Sequence, residues 1–299
     1  MGNLVIELSG TEQGARLASI LAITAAFLHA VFGALQKGRH DPWISRAAID
    51  LSYGLMALPV ALFLVPWPDK GLWPVLLGAM LIHVAYKVAQ ALTYQRGAYT
   101  VVYPVVRGSA PLFAVLAAML VFDERFNSIQ WAGLALLVGS IFGLAANSLR
   151  KLEVGRDTLV PALAWASITG ALVAIYTTYD AWGIRLAADP FTFLAWFFVL
   201  DGIFMPLWSL RRLVTLPRTE ILPLATRGVI GALVAFASFG SVMLATRLDE
   251  VGRAAVLRET STVFAALVGW VILGEKVGAR RVVLMALIAA GAVIVEFAA

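Results

Sequence analysis

His83, Lys87, Gln90 and Tyr94 recur at i, i+4, i+7 and i+11 along an otherwise apolar stretch, so on a helix all four share one face. If that helix crosses a bilayer, an ionisable side chain at its centre costs about 2.5 to 3.5 kcal/mol on insertion scales and faces either a polar lumen or a partner. Lys87 stands sixteen residues past Gly71 and nine before Arg96, too deep to snorkel without strain. Its ammonium can hold a carboxylate as a compact point charge. It can equally neutralise an acid such as Asp50 or Asp201 and serve only to hold helices together, and both readings stay open.

A second face carries aromatic chemistry. Trp165, Thr169, Tyr176 and Tyr179 lie near i, i+4, i+11 and i+14, with Asp180 at the end of the span. Rings there can stack on an apolar or aromatic solute while their polar tips orient it, and Tyr176 is the preferred candidate because Tyr179 and Trp182 also suit an interfacial belt. His29 shares a face with Gly33 and Gln36; with an ordinary pKa near 6.5 it is a candidate for proton coupling, or else a hydrogen-bonding residue in the packing. Asp50 and Asp201 are candidates for a substrate ammonium or for a pair with Lys87. No two of His29, His40 and His83 have metal-ligand spacing, and the chain has no cysteine, so no metal site and no thiol chemistry are expected. There is no GxxxxGK[ST] motif for nucleotide and no nucleophile–base constellation, so no cofactor and no enzymatic reaction are expected.

The elements that must position these residues follow from composition. Hydrophobic residues are 61% of the 299 and charged ones only 14%, with a mean hydropathy of +0.87, which excludes a water-soluble fold. The net charge of +5 is spread over short connections, as topology determinants are, so no nucleic-acid partner is expected. The first sixteen residues lack the basic, apolar and cleavage-site pattern of a signal peptide, so the first span is expected to be retained. Crossing roughly 30 Å of hydrocarbon takes about 20 apolar residues. Ten such stretches are expected, over 17–36, 43–65, 71–95, 99–122, 128–147, 159–180, 190–210, 221–246, 253–273 and 280–298. The turn and charge signals between them leave no room for a soluble catalytic domain.

The two halves resemble each other. Arg107-Gly108-Ser109-Ala110-Pro111-Leu112-Phe113, followed by Asp123-Glu124-Arg125, returns after 151 residues as Arg258-Glu259-Thr260-Ser261-Thr262-Val263-Phe264 and Gly274-Glu275-Lys276; Arg96 and Arg247 obey the same shift. The expected domains are a five-helix repeat over 1–147, a connection over 148–158 and a second repeat over 159–299. Five is odd, so the second repeat enters from the opposite side, giving an all-α membrane protein with inverted repeats around a central cavity, the pattern of secondary transporters. The shift maps Lys87 and Gln90 onto Ser238 and Ser241, which would line the substrate path or serve as small packing residues. Duplicated placement of Arg107 and Arg258 suggests an architectural role, with substrate or gating contacts as the alternative.

Two five-helix halves, the Glu124-Arg125 and Glu275-Lys276 pairs and the segment Ser109 to Phe113 resemble the ten-helix, EamA-like exporters of the drug/metabolite transporter superfamily over nearly the whole chain. The second half departs from that pattern where Ser-Pro-Leu is replaced by Ser261-Thr262-Val263. The run His83 to Gln90 is similar to aromatic amino-acid exporters within the superfamily. The resemblance implies export of small amphipathic solutes, amino acids including aromatic ones, by alternating access in a bacterial-type inner membrane. A broad drug or metabolite proton antiporter is the alternative, and a channel a more distant one. The partners expected are a small-molecule substrate and the lipid bilayer, with a monomer compatible with both. Of the 23 Lys and Arg residues, six fall on the side of the termini and fourteen on the other, with Lys87, Arg107 and Arg258 inside the membrane. Short basic loops stay cytoplasmic, so the count places the termini outside, whereas the resemblance implies termini inside.

Overall fold

A computed structural model describes residues 2–36, 41–96, 99–149, 156–271 and 278–298. Every regular element among them is helical. In chain order these are α1 (Gly2–Leu8), α2 (Glu12–Gln36), α3 (Pro42–Phe63), α4 (Leu72–Arg96), α5 (Tyr99–Phe122), α6 (Ser128–Leu149) and α7 (Arg156–Leu186). They continue as α8 (Pro190–Asp201), α9 (Phe204–Trp208), α10 (Leu210–Val214), α11 (Arg218–Leu248), α12 (Val251–Arg258), α13 (Ser261–Val271) and α14 (Ala279–Phe297). Polar side chains set several starts. Asp41 accepts from the amides of Trp43 and Ile44 ahead of Pro42, and Asp189 accepts from that of Phe191 ahead of Pro190, so each acid caps a helix whose first residue has no N–H to satisfy.

Among the described residues, eight stretches are long and apolar enough to cross a membrane: Glu12–Gly33, Trp43–Phe63, Leu72–Thr93, Val105–Phe122, Ser128–Ala146, Leu159–Leu186, Pro190–Trp208 and Arg218–Leu248. Leu81, Leu120 and Leu222 on such helices are exposed, as side chains that face lipid are. Three differences between the expected spans and the helices bear on the site. α7 runs six residues past Asp180 to Leu186, which moves that acid from a helix end to the interior. The stretch 190–210 is interrupted at Gly202 and Ile203, where the amide of Ile203 turns back to Leu200 instead of the fourth residue before it. The stretch 253–273 is interrupted at Glu259 and Thr260. Most of the expected connection over 148–158 and the Glu275-Lys276 pair lie outside the described residues.

The chain divides into two compact units, Met1–Val84 with Tyr179–Leu248 and Ala85–Thr178 with Asp249–Ala299, and the divisions fall inside α4 and α7. In the first unit Ile49, Tyr53 and Ala57 of α3 pack with Leu76 and Ala79 of α4 and with Phe193, Phe197 and Phe198 of α8. Bare backbone lets α3 and α8 approach: a Cβ on Gly202 would meet the Asp50 carbonyl oxygen at 2.8 Å and the Gly54 Cα at 2.9 Å. In the second unit α6 and α14 meet the same way, where a Cβ on Gly291 would lie 2.6 Å from the Gly133 carbonyl oxygen.

A buried arginine, glutamate and tyrosine cluster as the candidate functional site

The interruption between α12 and α13 builds the site. The amide of Thr260 bonds to Leu257 and that of Thr262 to Glu259, so the chain tightens to a three-residue repeat and the Arg258 carbonyl is not taken by Thr262. Arg107 of α5 supplies the donor instead. Its Nη2 reaches the Arg258 carbonyl at 3.4 Å and the Ser261 hydroxyl oxygen at 2.6 Å, while its Nε stands 2.9 Å from Glu259 Oε2. Arg107, Arg258, Glu259 and Ser261 are all buried. Desolvating these charges is expensive, and only mutual pairing and hydrogen bonds repay it.

Arg258 turns toward α7. Its Nη1 is 3.4 Å from the Tyr176 hydroxyl oxygen, and its guanidinium carbon lies 6.0 Å from the centre of that ring. The Tyr176 ring meets Tyr86 of α4 edge to face at 4.9 Å, and Gln90 Nε2 donates to the Tyr86 hydroxyl at 2.6 Å. Guanidinium groups beside a pair of phenol rings suit a ligand with an anionic end and a flat apolar body. Lys87, buried, sits between Tyr86 and Gln90 in the sequence of α4.

Among the residues singled out from sequence, Gln90, Tyr176, Arg107 and Arg258 therefore come together. His83 does not join them. Its Nε2 is 2.8 Å from Asp180 Oδ2, and its ring meets Phe197 and Phe239 edge on. Trp165 lies under the Arg96 guanidinium at 5.5 Å, and Thr169 bonds to Thr93 at 2.8 Å. The Ser238 hydroxyl donates to the Ala25 carbonyl at 2.9 Å, a bond that fastens α11 to α2, and Ser241 is half-buried. His29 is half-buried with its ring 6.4 Å from Phe32. Asp50 accepts from Arg46 Nε at 2.6 Å, and Asp201 accepts from the Tyr53 hydroxyl at 2.5 Å. The side chains of Tyr94 and Gln36 lie outside the described residues.

Sequence reasoning passed over Glu259, Asp180 as a partner of His83, and Glu124 as a cap. Glu259 stands opposite Gly108 under the 151-residue shift, so the duplication drew no attention to it. Glu124, seen only as half of a Glu-basic pair, accepts the amides of Val251 and Gly252 at 2.6 and 2.8 Å and thereby starts α12.

Among the described residues the chain is helical throughout its regular elements and carries several apolar spans, the make-up of a multi-pass membrane protein. The sequence model of the EamA-like transporter family matches twice, over residues 16–146 and 160–297, and the chain belongs to that family. Membership points to transport of small solutes rather than to an enzyme. A solved structure described only as "Crystal structure of protein" is similar at 18% identity and a TM-score of 0.67, over 94% of this chain and 99% of that one, a likeness of fold. No curated protein matches.

Proposed function

We propose that the chain is a secondary transporter that exports small amphipathic solutes, most readily amino acids including aromatic ones. In this reading two inverted five-helix repeats make ten crossings of a bacterial-type inner membrane and work by alternating access; the double family match supports the repeat. The observation that carries the substrate class is the meeting of Arg258 with Tyr176 and Tyr86, a cation beside two rings. Lys87 supplies the positive charge for the substrate carboxylate, and Tyr176 the surface for an apolar side chain. The basic-residue count places both termini outside; a fluorescent fusion at Ala299 that lights up in the cytoplasm overturns that orientation.

Counterflow in proteoliposomes tests the function. Labelled phenylalanine should accumulate transiently against a load of unlabelled phenylalanine and should be outcompeted by tyrosine and tryptophan. A channel gives no counterflow. Competition by cationic drugs alone would favour the second reading, a broad drug or metabolite proton antiporter, for which the buried His83–Asp180 pair speaks.

A further inference from the structure

Two of the stretches long enough to cross a membrane, Pro190–Trp208 and Arg218–Leu248, are joined by the residues around α10, so that connection stands at one face of the bilayer. Its backbone bends at Ser209. There the Ser209 amide closes α9 on the Met205 carbonyl, and the amides of Arg212 and Leu213 open α10 on the Ser209 carbonyl. The bend does not end the apolar surface. Leu207 and Trp208 before it are 64% and 67% exposed, and Leu210 and Val214 after it 51% and 72%. Ile221 and Leu222, at the start of α11, are exposed as well. Such a run is poorly matched to water and well matched to acyl chains.

The same strip is basic. Arg211, Arg212 and Arg218 are exposed, and no Asp or Glu occurs from Gly202 to Thr219. The acids that border it do little to neutralise it. Asp201 accepts from Tyr53, Glu220 is half-buried, and Asp41 stands 3.6 Å from Arg212 as an exposed pair, a contact of small net worth. Aromatic rings mark the depth of the strip. Trp208 meets Trp43 of α3 at 6.4 Å and Phe204 at 5.9 Å, ring centre to ring centre, and tryptophan settles between headgroups and hydrocarbon. At that level a guanidinium donates in a planar fork that matches two oxygens of one phosphate.

The geometry points to a docking surface for an anionic phospholipid of the bilayer, formed by Trp208, Leu210, Arg211, Val214 and Arg218. Arg211 and Arg218 donate to the phosphate oxygens and carry the preference for negative charge, Arg212 shares in it, and Trp208, Leu210 and Val214 lie against the acyl chains. A bilayer lipid is the occupant because one surface offers apolar and cationic contact together and adjoins two spanning stretches. Free phosphate engages the arginines alone. A second copy of the chain in a two-fold contact sets one arginine strip against another. The inference stands apart from the substrate reading and needs only that the chain is a membrane protein.

Thermal unfolding of the purified protein in detergent tests this, with phosphatidylglycerol, phosphatidylcholine or inorganic phosphate added to wild type and to the double variant Arg211→Gln, Arg218→Gln. Phosphatidylglycerol should raise the wild-type midpoint above its value in phosphatidylcholine, as a ligand of the folded state does, and the excess should shrink as salt is raised. Both arginines are exposed, so the double variant should melt as wild type does without lipid and should lose the excess with it. Native mass spectrometry, which counts lipid on the folded protein alone and so survives any loss of stability, should show its affinity for phosphatidylglycerol reduced by about tenfold to thirtyfold at low salt. Arg211→Lys with Arg218→Lys should keep most of the preference, because the charge remains. Equal wild-type midpoints in the two lipids, or a Gln variant that binds phosphatidylglycerol as wild type does, overturns the docking surface. Inorganic phosphate that reproduces the whole phosphatidylglycerol shift overturns the lipid as occupant. A wild-type dimer in detergent that the Gln variant converts to monomer assigns the strip to a second copy of the chain and overturns it too.

Discussion

Arg107 donates to the backbone carbonyl of Arg258 at 3.4 Å, and the two arginines stand 151 residues apart, the interval that relates the two halves of the sequence. Equivalent positions of an internal duplication thus meet each other, with Glu259 paired to the first and adjoining the second. The architectural reading of these arginines has a concrete form: Arg107 caps the interruption between α12 and α13, and that interruption aims Arg258 at Tyr176.

Removing one partner of this cluster leaves a buried charge without its counter-ion. Arg107→Met and Glu259→Gln should each lower stability, by about 3 to 5 kcal/mol where the pair is fully desolvated, while Arg107→Met with Glu259→Leu should recover most of the loss. Thermal unfolding of the two singles and the double in detergent reads the coupling; additive losses would show that the two side chains do not act as a pair.

Tyr176 presents its ring to Tyr86 and Arg258, so the apolar part of a substrate should depend on it. Tyr176→Ala should reduce transport of phenylalanine relative to alanine by about two- to tenfold, corresponding to the roughly 0.5 to 1.5 kcal/mol of a ring pair beyond burial, and Tyr176→Phe should keep most of the preference. Equal loss for both amino acids in competition assays rules out a stacking role.

The helices were legible because a membrane span needs a length of apolar sequence that few other structures need, and α3 to α6, α11 and α14 fall close to the expected stretches. The interruptions at Gly202 and Glu259 were not legible. Gly202 sits inside an apolar run, whereas Glu259 lies in the polar stretch Arg258 to Thr262 that was read as the inside of a span, and each interruption is made by backbone bonds to the third residue before. The site was half legible for a related reason. Helical spacing put His83 and Gln90 on one face, but α7 runs on to Leu186 and carries Asp180 to His83, whereas Tyr86, off that face, accepts the bond from Gln90.

Glu250, in the short connection before α12, is half-buried, and its carboxyl is pushed above the ordinary carboxylate range, first by burial and then by Glu124, Asp249 and Glu296, against the opposing pull of Arg253. A raised folded-state pKa means that the folded protein holds the proton more tightly than the unfolded chain does. The stabilisation is then full below the ordinary value near 4.5 and is lost as pH rises through the raised one. Glu250→Gln should therefore be more stable than wild type at neutral pH, by about 0.5 kcal/mol or less because solvent screens a group this exposed, and the advantage should vanish in mildly acidic buffer. Melting temperatures against pH for both proteins check the sign.

Glu124 gives a larger effect of a different kind. Its two oxygens accept the first amides of α12, bonds from a charged group worth about 1.5 to 3 kcal/mol. Glu124→Ala should cost on that order, and hydrogen exchange should speed up at Val251 and Gly252 before it does in α5. Unchanged protection of those amides would mean that the cap is dispensable.

Lys87 gives the sharpest test of the substrate reading. It is buried on α4, one residue after the Tyr86 that meets Tyr176, and a carboxylate held in surroundings of low dielectric gains more from an ammonium than it would at a surface. Lys87→Ala should abolish amino-acid counterflow while the purified protein remains folded and monodisperse, and Lys87→Arg should keep only part of the activity because a planar guanidinium fork replaces a compact charge. The rival role, neutralising Asp50 or Asp201, makes a different forecast. Asp50 accepts from Arg46 and Asp201 from Tyr53, so each acid already has a partner in the first compact unit. If Lys87 nevertheless served one of them, Lys87→Ala would lower the melting temperature, and adding Asp50→Asn or Asp201→Asn would restore both stability and flux. Counterflow and melting temperature for the three singles and two doubles separate the roles: a double variant with near-normal flux rules out carboxylate binding by Lys87, whereas flux lost in every protein lacking Lys87, at undiminished stability, establishes it.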